Sequence, residues 1–180
     1  FQVIRYLLEI KSTMLLDNIY KTKTKIDLYK KDTNKSVSLI IPTLNRYKYL
    51  VNVLDQLNVQ SILPREVIII DQTALKYREV IDFNKYPNLT IELILLDKPG
   101  QCTARNKGLE IAKGEYILFC DDDNELPVDF IEKHIINITN LNNSISCGVS
   151  VEKEVKKIST DYNYPRISDV FSTNNSLIPK

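Results

Sequence analysis

A single histidine, three cysteines and four glycines in 180 residues remove several chemistries at once. With His134 alone, most Ser-His-Asp and Cys-His schemes cannot be built within the chain. His134 falls on a helical pattern and is expected as a surface or half-buried side chain. Cys102, Cys120 and Cys147 are far apart and lack C-x-x-C spacing, which argues against a zinc site and a disulfide framework. A reducing, cytoplasmic compartment is the expectation. Glycine-rich phosphate loops are missing: there is no G-x-x-x-x-G-K-[ST], and no G-x-G-x-x-G follows the first strand. An ordinary ATPase and a dinucleotide fold are both disfavoured. Charge of one sign is lacking too, with Lys+Arg 24 against Asp+Glu 23, and no basic run is interleaved with aromatics. Nucleic acid is therefore not an expected partner. No apolar stretch approaches the ~20 residues that span a bilayer. No signal peptide is visible either, since Arg5 and Glu9 interrupt the first apolar stretch.

What is present begins at Phe1 already in a helical pattern, and the chain stops at Lys180; a segment of a longer protein is expected. Phe1 to Tyr20 carries apolar residues at helical spacing. Lys21 to Lys35 follows with six lysines and two aspartates and reads as a solvated linker, with a membrane-surface patch as the alternative. Residues 1–35 are thus an upstream helix and Lys-rich linker, and 36–180 an incomplete main domain. Strands are expected at Val37–Ile41, Val67–Ile70, Ile91–Leu95 and Tyr116–Cys120, with a weaker one near Ile145–Val151. Helices are expected at Tyr47–Asn58, Ala74–Phe83, Cys102–Lys113 and Val128–Ile138, and prolines fall at the junctions. Strands apolar on both faces, alternating with helices, predict an α/β fold with a mostly parallel, helix-flanked sheet. Ligands of such sheets sit beyond the carboxyl ends of the strands. Pro42-Thr43-Leu44-Asn45, Asp71-Gln72-Thr73 and Asp121-Asp122-Asp123 all lie at such ends and should converge on one crevice.

The third cluster closes the run YILFCDDDNE, Tyr116 to Glu125. Three carboxylates at a strand end repel one another unless something cationic sits among them. A hard ion such as Mg²⁺ or Mn²⁺ is the simplest candidate. The alternative is a solvated acidic loop that caps the next helix, whose first turn holds Pro127 and Asp129. An EF-hand is rejected because Leu126 stands where that loop needs glycine. A phosphoacceptor receiver is disfavoured by Pro42 and Thr43, which occupy the place of its paired acids. A metal held by carboxylates can neutralise a diphosphate leaving group. Sugar transfer from a nucleotide-diphosphate donor needs this, plus a base for the acceptor hydroxyl.

The segments VSLIIPTLNR (Val37–Arg46), EVIIIDQT (Glu66–Thr73) and GQCTARNKGLEIAKGEYILFCDDDNELP (Gly100–Pro127) resemble, in order and spacing, family 2 glycosyltransferases of the GT-A fold. The resemblance is dense from Val37 to Pro127 and looser to Ile178. It implies that Asp121, Asp122 and Asp123 form the DxD element, with Asp123 as metal ligand and Asp121 contacting donor ribose or metal. Pro42, Thr43 and Asn45 would line the nucleotide pocket, Asp71 and Gln72 would face the base, and Arg105 would border the donor. Asn45 also stands where a helix N-cap belongs. Gln72 occupies the place of a frequent second acid, and Leu44 that of a frequent aromatic, which leaves the donor nucleotide open. The family's catalytic base lies well downstream of DxD, and Ser172 to Ile178 resembles the start of that region, so the base is expected beyond Lys180.

The function implied is inverting, Mn²⁺- or Mg²⁺-dependent transfer of a sugar to an unknown saccharide or lipid-linked acceptor. Cell-surface polysaccharide assembly, at the inner face of the membrane, is the implied setting. A nucleotidyltransferase and a non-catalytic nucleotide-binding module are the alternatives.

Overall fold

The computed structural model describes residues 34–140, 145–148 and 175–180. Residues 1–33 of the expected upstream helix and linker lie outside them. The elements are β1 (Val37–Thr43), α1 (Tyr47–Leu57), β2 (Glu66–Asp71), β3 (Ile91–Leu95), α2 (Gln101–Ile111), β4 (Tyr116–Cys120), α3 (Phe130–Asn140), β5 (Ser146–Cys147) and β6 (Asn175–Pro179). Among the described residues, six strands form one sheet in the order β3-β2-β1-β4-β6-β5. β1 pairs in parallel with both β2 and β4, and β2 with β3. Every residue of β1 and β2 is buried: the apolar stretches Leu39–Ile41 and Val67–Ile70 suit strands covered on both faces, and the polar Ser38, Thr43, Glu66 and Asp71 are buried with hydrogen-bond partners.

The side chains of the strands alternate between two cores. On one face Leu39, Ile41, Val67, Ile69 and Leu118 pack with α1 and α3. Leu50, Val53, Leu54 and Leu57 supply the buried stripe of α1. On the other face Ile40, Ile68, Ile70, Ile117 and Phe119 pack with α2. The face of α2 is made of small residues, Ala104 and Gly108, so the helix approaches β1 closely. The chain thus leaves β1 toward β2 on one side and returns to β4 on the other. The point where the order reverses, between β1 and β4, is where such sheets open a crevice.

Three expectations need correction. No α-helix forms over Ala74–Phe83; short 3₁₀ turns occupy Leu75–Tyr77 and Phe83–Lys85. Leu75 is 80% and Val80 100% exposed, and of the segment's apolar residues Ile81 and Phe83 at its far end pack against the core, so no helical stripe is buried along it. Arg78 instead ties the segment to the sheet, donating to the Thr73 carbonyl at 2.8 Å and the Leu96 carbonyl at 3.3 Å. Asn45 does not cap α1: it adopts φ 57 in the left-handed region, which asparagine tolerates, and Arg46 takes the cap position without a side-chain hydrogen bond. His134 is buried rather than surface, bonded through its two ring nitrogens to Ser146 Oγ (2.9 Å) and Asn175 Oδ1 (2.8 Å). The weak strand near Ile145–Val151 is confined to Ser146–Cys147 among the described residues. β6, antiparallel to β4 and β5, was not expected as a strand.

Candidate functional site

Parallel pairing sets the carboxyl ends of β1, β2 and β4 side by side. Thr43 is in register with Asp71, and Asp121 to Asp123 follow directly on β4. A crevice of ≈ 260 Å³ opens there between Pro42, Thr43, Leu44, Arg46, Gln72, Gly100, Gln101, Asp121 and Asp122. All three polar strand ends therefore contribute to it. A separate hollow of ≈ 360 Å³, between Asn52, Gln56, Glu125, Leu126 and Pro127, contains none of them.

A hydrogen-bonded frame fixes the crevice wall. The Thr43 hydroxyl donates to Asp122 Oδ2 at 2.7 Å, joining the ends of β1 and β4. Tyr47 OH donates to Asp71 Oδ2 at 2.6 Å, and the Thr73 amide donates to the other oxygen at 2.8 Å. Thr73 Oγ1 in turn accepts from the Asn45 amide at 2.8 Å. Asp71, 2% exposed, thus lies beneath the crevice as a brace rather than in its wall. Asn45 takes part through its backbone, and its left-handed turn brings Arg46 over the opening. Gln72 does line the crevice; its Nε2 donates to the carbonyls of Lys98 (3.0 Å) and Gly100 (3.1 Å). Thr73 belongs to a polar strand end expected at the crevice, whereas Tyr47 and Arg46 carry no role in the sequence reading, although Arg46 falls within a segment that resembles the family.

The three aspartates do not share a common partner. Asp121 pairs with Arg105 Nη2 at 2.8 Å, and that guanidinium also lies 5.9 Å from the Phe119 ring centroid. Arg46 bridges the other two, with Nη1 3.4 Å from Asp122 and Nη2 on Asp123. Burial pushes the Asp122 carboxyl above the usual carboxylate value. Thr43 and Arg46 pull it back, and the charges of Asp123 and Asp121 add to the rise. Burial opposes the charge on Arg46, but Asp122 and Asp123 outweigh it and hold that guanidinium above its ordinary pKa. Cys120 stands just before the cluster fully buried, and that burial pushes its thiol up to about 12, so it is no nucleophile.

The cationic neighbours that the acidic run demanded are thus two arginines. Among the described residues no group of three His, Cys, Asp or Glu side chains is arranged to hold a metal ion. A divalent ion at a phosphate site does not need one, because one or two carboxylates suffice when substrate phosphates complete its shell. Asp123, 43% exposed at the outer side of the cluster, fits that role chemically. Asp121, turned toward Arg105, fits it less directly.

A mixed sheet whose parallel strands reverse order at an acidic crevice is an open α/β fold with a ligand site at its switch point, and comparison with solved structures gives it the GT-A form. Solved structures agree with that fold. The mannosyltransferase PcManGT from Pyrobaculum calidifontis, in complex with GDP-Man and Mn²⁺, is 20% identical and superposes with a TM-score of 0.55, covering 81% of this chain and 46% of that one. S. aureus TarS in complex with UDP is 23% identical with a TM-score of 0.57, covering 80% and 46%. The chain belongs to glycosyl transferase family 2, whose sequence profile matches residues 38–177. Amylovoran biosynthesis glycosyltransferase AmsB of Erwinia amylovora is 36% identical over 110 residues, 59% of this chain and 36% of that protein. The uncharacterized glycosyltransferase YwdF of Bacillus subtilis is 36% identical over 98 residues, 54% of this chain and 36% of its own length. The chain spans about a third of the length of these curated relatives.

Proposed function

We propose that this chain binds a nucleotide-diphosphate sugar for a glycosyltransferase that passes the sugar, with inversion, to an acceptor hydroxyl. The observation that carries the reading is the crevice where β1 meets β4, walled by Thr43, Gln72, Asp121 and Asp122 in a family 2 domain. We place the nucleotide between Pro42–Thr43 and Gln72, and the diphosphate toward Asp121 and Asp123. Mn²⁺ or Mg²⁺ would be held by Asp123, with Asp121 beside it. When bound, such an ion stabilises charge developing on the departing diphosphate. PcManGT, which shares the fold, is seen with GDP-Man and Mn²⁺, which supports the use of a divalent ion and a nucleotide-sugar donor. Thr43 orients Asp122, Arg105 orients Asp121, and the Tyr47–Asp71–Thr73 frame keeps the base pocket in shape. Attack on the anomeric carbon also requires a base to take the acceptor's proton. The three aspartates are engaged by Thr43, Arg46 and Arg105, so we assign the base to a carboxylate outside this crevice.

The acceptor is proposed to be a saccharide or a lipid-linked saccharide of a cell-surface polymer. The names of relatives made for amylovoran and teichuronic acid biosynthesis support that setting. No helix among the described residues is long and apolar enough to cross a membrane. Calorimetry with UDP, GDP and other nucleoside diphosphates tests the reading. Binding should be strengthened by Mn²⁺ and lost in Asp123→Ala, while Gln72→Ala should change the preference among bases. Failure to bind any nucleoside diphosphate would overturn the proposal.

A further inference from the structure

The two arginines that neutralise the acidic cluster are held differently. Arg105 is 11% exposed, paired with Asp121 and packed on Phe119, a seat from which it has little freedom to leave. Arg46 is 43% exposed and reaches in from the turn after β1 to the carboxylates of Asp122 and Asp123. Its partner Asp123 is equally exposed. Half-exposed ion pairs contribute little net stability, so this contact exchanges at low cost. The guanidinium carbon also stands 5.3 Å from the Tyr49 ring centroid, a second favourable contact within its reach.

A divalent ion using Asp123 would share its carboxylate with the Arg46 guanidinium, which stands on Oδ2. Two cations on one carboxylate at contact distance repel strongly in a partly desolvated crevice. We propose that Arg46 is a tethered counterion of Asp123, one that competes with the divalent ion until a nucleoside diphosphate is present. The diphosphate would both complete the ion's coordination and offer the displaced guanidinium an anionic partner. This rests on the reading that Asp123 takes a divalent ion. Its consequence is linkage: the free chain binds metal weakly, and metal and diphosphate each strengthen the binding of the other.

Electron paramagnetic resonance titration of Mn²⁺ into the chain tests this without any turnover. The variants are Arg46→Gln, Arg46→Lys and Asp123→Asn, each checked for a wild-type melting transition. In the absence of nucleotide, Arg46→Gln should tighten Mn²⁺ binding on the order of tenfold, within the usual range for coupled sites. Arg46→Lys keeps the charge and should stay near wild type, and Asp123→Asn should lose the ion. If Arg46→Gln binds Mn²⁺ no more tightly than wild type, while UDP or GDP still draws Mn²⁺ into both, the counterion role is overturned and the metal reading stands. If no variant binds Mn²⁺ with or without either diphosphate, the metal reading falls and the counterion role with it.

Discussion

Gly108→Ala pits two effects of known size against each other. Alanine stabilises a helix interior over glycine by roughly 0.8–1.0 kcal/mol. At this position, however, an added Cβ would stand 2.6 Å from Ile40 Cγ2 and 3.0 Å from its Cδ1. Ile40 is fully buried on the strand that lies between β2 and β4, so the sheet cannot give way. Either Ile40 leaves its rotamer or α2 moves off the sheet, and overpacking of this kind costs about 1–3 kcal/mol. The net expectation is a loss on the order of 1 kcal/mol, read as a lower urea midpoint at unchanged slope. Ile40→Ala alone should cost about 2–5 kcal/mol. The double variant should cost less than the sum by about 1 kcal/mol or more, because the second change makes room for the first. Displacing α2 also moves Arg105, one turn earlier, away from Asp121, so nucleotide affinity should fall with Gly108→Ala and recover in the double variant. A Gly108→Ala protein more stable than wild type by ~1 kcal/mol, as at an exposed helical glycine, would refute the packing argument.

Tyr47→Phe leaves one oxygen of the buried Asp71 without its 2.6 Å donor and should cost about 1.5–3 kcal/mol, with weaker nucleotide binding in calorimetry. Ser38→Ala should destabilise by about 1–3 kcal/mol in chemical denaturation. Its hydroxyl donates to Glu66 at 2.6 Å and accepts from the Gly114 amide at 2.7 Å, at the amino-terminal ends of the strands, opposite the crevice, so nucleotide affinity should stay unchanged. Burial lowers the pKa of His134, partly offset by its bonds to Asn175 and Ser146. The unfolded imidazole takes a proton below about pH 6.5 and the folded one only further down. Stability from this group is therefore present above that pH and lost as pH falls through the lower folded value. Urea melts at pH 7.5 and 5.5 should show a loss in the wild type that shrinks in His134→Gln, and equal losses would sink the assignment.

Much of the fold was legible because parallel strands buried on both faces need unbroken apolar runs. Leu39–Ile41, Val67–Ile70 and Ile117–Cys120 are such runs and lie in β1, β2 and β4, whereas β3, Ile91–Leu95, carries Glu92 and is an edge strand only partly buried. The same logic placed Thr43, Gln72 and Asp121–Asp122 at one edge, since a parallel sheet brings its carboxyl ends together whatever the helices between them do. β6 escaped because its pairing with β4 is non-local and its first residues, Asn175 and Ser176, are polar. His134 was misjudged for a related reason: the groups that satisfy it in the core, Ser146 and Asn175, lie 12 and 41 residues away. The acid run after β4 demanded cations by its charge alone, but their identity was not readable. Arg46 lies 77 residues from Asp123 and meets it only because β1 and β4 are neighbours. Composition and periodicity thus determined which segments are buried and where the polar ends fall. Which charges pair, which aspartate braces and which faces the crevice were decided by tertiary structure, because contacts between distant strand ends leave no spacing in the chain.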